Sequence, residues 1–194
     1  MKFALGLVVG LLILPVCVLI FFQWGNPPVA VADSPFPFEK QIVRVPLGAR
    51  IHREMPKSAP IEASATNLTA GAKIYREQCA ACHGLYGRPS EFANHMYPHA
   101  PQLWAPHRNG VIGVNDDPVG ETYWKVANGI RLTGMPAFNK VLNETEMWQV
   151  SVLLKSAGQP MPAEATTLLT TPMDYGTAGT APNAGAGPAA QPGK

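Results

Sequence analysis

Two cysteines separated by two residues and followed at once by a histidine, Cys79-Ala80-Ala81-Cys82-His83, constrain this chain more than any other stretch. One turn of backbone brings both thiols to the same edge of whatever they bind, and carries the next residue beneath it. Each thiol can add across one vinyl group of a porphyrin edge, and the imidazole then reaches the iron. That is the attachment signature of a c-type haem. A C-x-x-C run also reads as a thiol–disulfide redox pair or as half of a zinc site. A redox pair has no use for the trailing histidine and usually sits in a strand–helix context. A zinc site needs two further ligands, and the remaining cysteine, Cys17, lies inside an apolar run. The expectation is one covalent haem c on Cys79 and Cys82.

Composition supports a small domain with attachments. The chain has 194 residues, and 14 of its 20 prolines lie before residue 66 or after residue 158. The middle, of about ninety residues, can build only a thin core from side chains alone, and a buried porphyrin supplies the missing apolar mass. The formal net charge of +2 gives no reason to expect nucleic acid. Covalent haem is added outside the cytoplasm, so the haem domain belongs on the extracytoplasmic, periplasmic side of a bacterial cytoplasmic membrane.

The amino terminus supplies the membrane. Phe3–Phe22 is uncharged and apolar throughout, about the length a helix needs to cross a ~30 Å hydrocarbon layer. Pro15, Gly6 and Gly10 are tolerated in such a helix, and Trp24 suits its interfacial end. Lys2 points to a single pass with the amino terminus inside. Residues 1–24 therefore read as a transmembrane anchor. The competing reading is a signal peptide cleaved after Ala30-Val31-Ala32, before Asp33. Against it, the run exceeds the 7–15 residues of an ordinary signal core, and the cleavage pattern lies well past its end. Residues 25–65, with prolines at 27, 28, 35, 37, 46, 56 and 60, read as an extended Pro-rich linker. Within it, Gln41–Val45 alternates like a short strand or an arm along a partner.

The domain proper spans 66–158. A helix capped by Asn67 or Thr69 is expected to run to Gln78, with Ala72, Ile74 and Tyr75 facing inward. An irregular stretch follows to Asp117. A second helix over 118–129 starts from Asp116 or Asp117 with Pro118 in its first turn. Thr133-Gly134-Met135-Pro136-Ala137-Phe138 is a loop. A last helix covers 145–157, capped by Asn143 or Thr145, with Trp148, Val152 and Leu153 on its apolar face. The extension 159–194 holds a short helix near Ala163–Leu169 and is expected to be disordered from about 171.

This order of elements resembles the monohaem class I cytochrome c fold, an all-α fold in which helices wrap a covalent haem. The resemblance covers 66 to about 158. It implies His83 as proximal ligand and Met135 as distal ligand of the iron, Gly71 and Tyr75 packing the first helix on the last, and Pro101 of Pro101-Gln102-Leu103 orienting the proximal imidazole. It also implies an aromatic, Tyr123 or Trp124, reaching a haem propionate, which Arg131 could neutralise. This chain departs from the pattern in Leu153, where an aromatic is common, and in His95, Met96, His99 and His107 of the irregular stretch. Met96 is a second, less well framed candidate for the distal position.

Three functions follow from this. One is a membrane-tethered carrier of single electrons, not itself an enzyme, meeting redox partner proteins through a mainly apolar face near Met135–Phe138. Another is a fixed cytochrome subunit of a larger respiratory or photosynthetic complex. The third is a haem enzyme or gas sensor with Met135 off the iron.

Overall fold

The computed structural model describes residues 2–173, and among these the secondary structure is helical, with two isolated β-bridges and no strand. The elements are α1 (Lys2–Trp24), α2 (Glu39–Glu54), α3 (Ala65–Gln78), α4 (Ala80–His83), α5 (Val119–Asn128), α6 (Glu144–Lys155) and α7 (Ala163–Thr170). The expected disordered tail lies, beyond residue 173, outside the described residues.

Helix α3 crosses α6 closely because Gly71 has no side chain. A Cβ there would collide with the carbonyl of Gln149 and press on Leu153. Ala72, Tyr75, Val150 and Leu153 meet in this contact and are fully buried. Burial of a Leu or Val side chain contributes roughly 1.5–3 kcal/mol, so this crossing anchors the domain. Ser151, also buried, satisfies its hydroxyl on the carbonyl of Met147 one turn earlier, at 2.7 Å. Asn143 and Glu146 form a reciprocal capping box at the start of α6. At the start of α3 the cap is Ser64, not Asn67 or Thr69: its hydroxyl accepts from the Asn67 amide at 3.3 Å, and Asn67 turns its own side chain to the Glu62 carbonyl. Pro118 occupies the N-cap position of α5, where neither Asp116 nor Asp117 caps.

Two segments outside 66–158 pack on this body. Helix α7 lies along α3 with Ala165 and Leu169 buried. Arg76 ties it down by donating to the carbonyls of Leu168, Thr171 and Pro172. The other segment corrects the sequence expectation. Residues 39–54 form a helix, not an extended linker, and Gln41–Val45 is helical within it. Pro46 sits in the helix interior, where proline costs about 3 kcal/mol by removing a bond and crowding the preceding turn. Docking offsets that cost. Ile51 is buried, which returns roughly 1.5–3 kcal/mol. Glu54 accepts from the Trp124 indole at 3.0 Å, and the carbonyl of Pro56 lies where a side chain on Gly120 would be. Helix α2 is thereby held against α5.

Helix α1 has the length and composition to cross a membrane, with a mean hydropathy of 3.0 over its best window. Its side chains are exposed throughout the described residues.

Candidate haem site

The site is built on α4, a helix of only four residues, Ala80–His83, that follows Cys79. So short a helix has no internal partners for its last carbonyls, and the fold supplies them from elsewhere. The carbonyl of Ala81 accepts from the Ser90 hydroxyl at 2.5 Å, and that of Cys82 from the Gln102 side chain at 3.3 Å. The carbonyl of His83 accepts from the Leu103 amide at 3.2 Å and from the Tyr75 hydroxyl at 3.2 Å; the same hydroxyl reaches the Gly84 carbonyl at 2.7 Å. Gln102 also accepts from the Ser90 amide. Gly84 ends the turn at φ 71°, ψ 179°, a region essentially restricted to glycine. The motif is clamped from α3 on one side and from 90–103 on the other.

Histidine 83 is half-buried, and its Nδ1 lies 2.7 Å from the Pro101 carbonyl. A carbonyl only accepts, so Nδ1 carries the proton and Nε2 keeps a free lone pair for a metal. Burial lowers the imidazole's affinity for a proton, and the Pro101 bond partly opposes this. The Pro101 carbonyl is the acceptor this ring nitrogen faces.

Cysteines 79 and 82 are both unpaired thiols. Burial pushes the Cys79 thiol up to about 12, and Cys82 beside it adds to the shift. A redox-active C-x-x-C thiol requires the opposite, an accessible group of lowered pKa. Burial likewise raises the Tyr75 hydroxyl far above its ordinary value, with Cys79 a smaller cause, so it acts as a neutral donor.

Met135 lies in a loop pinned beneath the end of α5. The Ile130 amide donates to the Met135 carbonyl at 3.2 Å, the Met135 amide to the Thr133 hydroxyl at 3.1 Å, and the Phe138 amide to the Val126 carbonyl at 3.0 Å. Gly129 makes this possible. Its φ of 65° and ψ of −175° fall in the same glycine-only region, and a Cβ would stand 2.7 Å from the Ala137 nitrogen. Met135 is half-buried against the core. The Met96 methyl meets Gly134, which brings the second methionine beside the first.

The aromatics divide. Trp124, read from the sequence as a propionate donor, gives its single N–H to Glu54 instead. Tyr123 stacks on Trp148 with ring centroids 4.0 Å apart. Trp104 packs edge-on against Tyr75 at 5.7 Å. The indole nitrogens of Trp104 and Trp148 are both buried with no hydrogen-bond partner. An indole N–H without an acceptor costs about 1–3 kcal/mol. Arg131 is exposed. His99 turns Nδ1 to the Ala93 carbonyl at 2.9 Å. Two thiols on one turn, an imidazole with a free Nε2 and a thioether on a pinned loop fit a haem.

The sequence reading overlooked Ser90, Gln102 and Trp104, as well as the second function of Gly129. For Gly129 the signal was a glycine both ending a helix and preceding the methionine loop.

Comparison with known proteins gives one family match. Residues 66–154 match the family model described as cytochrome c oxidase, cbb3-type, subunit III. No curated protein matches the chain. A solved structure of the Kuenenia stuttgartiensis reducing HAO-like protein complex Kustc0457/Kustc0458 aligns at 20% identity and a TM-score of 0.39. The alignment covers 71% of this chain and 54% of that one, so this chain spans about half its length. Residues 66–154 of this helical protein thus form a cytochrome c domain, a module for electron transfer through haem c.

Proposed function

We propose that the protein carries one electron at a time on a single haem c, attached at Cys79 and Cys82, ligated by His83 and Met135, and tethered to the bacterial cytoplasmic membrane by α1. The observation that carries this reading is the His83–Pro101 bond together with the Met135 loop pinned by Gly129. The motif presents an oriented imidazole nitrogen, and the 130–138 loop carries a thioether on a backbone held by hydrogen bonds.

When bound, haem supplies a reversible one-electron couple, and Met/His ligation raises its potential relative to two histidines. The chain's own task is to hold ligands still and keep water out. Tyr75, Gln102 and Leu103 fix the backbone of the proximal turn, while Thr133 and Gly129 fix the distal loop. With His83 and Met135 both holding the iron, the haem would suit electron transfer and would have no place for a gas or peroxide. The rim beside Met135 is apolar and exposed: Leu132, Pro136 and Ala137 all face solvent. A small apolar face of this kind suits a brief redox encounter. Helix α1 rises about 34 Å at 1.5 Å per residue, enough to span the membrane with the amino terminus inside and the haem domain on the periplasmic face.

A second reading, a fixed subunit of a membrane oxidoreductase complex, is favoured by the match to a family model described by an oxidase subunit. Purification in mild detergent separates the two: a carrier runs alone, and a subunit brings fixed partners.

The test of the main reading uses full-length protein made with haem-attachment machinery. One haem should survive acid–acetone extraction, a redox titration should follow a one-electron curve, and carbon monoxide should barely change the reduced spectrum. Amino-terminal sequencing of membrane-purified protein should not begin at Asp33. Extractable haem or a strong carbon monoxide response would overturn the haem assignment, and a soluble product starting at Asp33 would overturn the tether.

A further inference from the structure

Helix α2 has two apolar faces, and the cytochrome domain uses one. At 3.6 residues per turn, Val43, Leu47 and Ile51 share the face turned toward α5. On the opposite face, Ile42, Val45 and Ala49 form a stripe continued by Phe38 just before the helix. Phe38 is 73% exposed, Ile42 69% and Val45 70%. Nothing among the described residues covers this stripe.

Three observations say what covers it. The start of α2 is held at the end of the membrane-length helix, where Phe36 meets Phe21 edge-on at 6.2 Å between ring centroids. Along the intervening segment, Val29 and Val31 are also exposed. Charge is the second. Helix α2 carries Lys40, Arg44, Arg50 and Arg53 against Glu39 and Glu54. Both acids are spent on the protein: Glu39 accepts from the Tyr97 hydroxyl at 2.8 Å and from the Phe36 amide, and Glu54 from Trp124 and Arg50. Arg53, one turn from Ala49 and so beside the stripe, is exposed with no acidic partner among the described residues. The third is rigidity. Tyr97–Glu39 ties one end of α2 to the irregular stretch beside Met96, and Ile51, Glu54 and Pro56 tie the other to α5. The outward direction of the stripe is therefore fixed relative to the haem site.

An exposed apolar stripe that starts where a membrane helix ends, with Arg53 beside its far end, has the chemistry of a helix lying in a lipid interface. We propose that α2 lies on the surface of the bilayer entered by α1, its Phe38–Ile42–Val45–Ala49 stripe among the acyl-chain ends and Arg53 at headgroup level. The cytochrome domain then has a fixed orientation over the membrane instead of swinging on a tether. This inference rests on the reading of α1 as a membrane helix.

The test is spin-label accessibility in full-length holoprotein with Cys17→Ser, placed in nanodiscs of phosphatidylcholine and phosphatidylglycerol. Single cysteines replace Leu12, Ile42, Val45 and Lys57, and the haem spectrum confirms that each variant is folded. Labels at 12, 42 and 45 should collide several-fold more with lipid-soluble oxygen than with a water-soluble nickel chelate, and the label at 57 should show the reverse. Lipid exposure at 12 with water exposure at 42 and 45 leaves the anchor standing and overturns the proposal. Shielding of 42 and 45 from both reagents overturns it in favour of a protein contact. Water exposure at 12 removes the anchor, and the proposal with it.

Discussion

Replacing Gly129 by alanine should uncouple the methionine loop while leaving the proximal side intact. The residue sits at φ 65°, ψ −175°, where a side chain costs about 1–3 kcal/mol. The new methyl would also stand 2.7 Å from the Ala137 nitrogen and the Pro136 carbonyl carbon, and 2.8 Å from the Met135 oxygen. Overpacking of that kind adds about 1–3 kcal/mol, for a total of about 2–6 kcal/mol. The least costly relief is to lift the loop, sacrificing the Ile130–Met135 bond at 3.2 Å. Oxidised Gly129→Ala holoprotein should therefore lose most of the weak far-red sulfur-to-iron band, and its reduced form should begin to bind carbon monoxide. Its thermal midpoint should fall by about 10 °C or more. Gly84→Ala is the control, with the same backbone region but its clash against Gln102 and Arg88 on the proximal side. It should destabilise the domain while sparing the far-red band. A Gly129→Ala protein with an undiminished band and an unchanged midpoint would refute the reasoning.

Tyr75→Phe removes the donor shared by the His83 and Gly84 carbonyls. Urea denaturation should show a loss of about 1–3 kcal/mol with covalent haem retained, and an unchanged midpoint would show those bonds to be unimportant. Glu54 is held below its ordinary pKa of 4.5 by the Trp124 indole first and Arg50 second. A depressed carboxylate stabilises the docked state above its unfolded pKa and ceases to do so as pH falls through the lower, folded value. The protection factor of amides 51–56, which removes the intrinsic pH dependence of exchange, should thus fall as the medium is taken below about pH 4.5, and Glu54→Gln should make it low and insensitive to pH. A native protection factor that ignores pH throughout this range would contradict the Glu54–Trp124 account. Electron transfer to the native partner should depend weakly on ionic strength, because residues 66–158 carry eight Lys or Arg against seven Asp or Glu. A steep fall between low and physiological salt would show that charge governs docking.

What could be read from the sequence was chemistry encoded locally. Cys79–His83 announces itself by spacing, whereas Pro101 and Met135 enter through the resemblance to class I cytochromes c. Gly71 and Tyr75, one turn apart, gave the α3–α6 crossing. Helix α2 was hidden because Pro46 argues against a helix at short range, and the contacts that outweigh it come from α5, some seventy residues away, as the Trp124–Glu54 separation shows. The same pairing misled the reading of Trp124, since a donor's partner cannot be seen until the chain is folded. Ser64 capped α3 in place of Asn67 because both are competent caps and tertiary context chose between them. The clamp of Ser90 and Gln102 on α4 left no sequence signal, as neither residue type marks such a bond.

The axial ligand set is the centre of the account, and the far-red band of the oxidised full-length holoprotein tests it most directly. The Met96 methyl lies against Gly134, so the measurement must compare two variants, Met135→Leu and Met96→Leu. The account predicts that Met135→Leu abolishes the band and opens the reduced protein to carbon monoxide, while Met96→Leu leaves both as in the native protein. A band that survives Met135→Leu and disappears in Met96→Leu would contradict it.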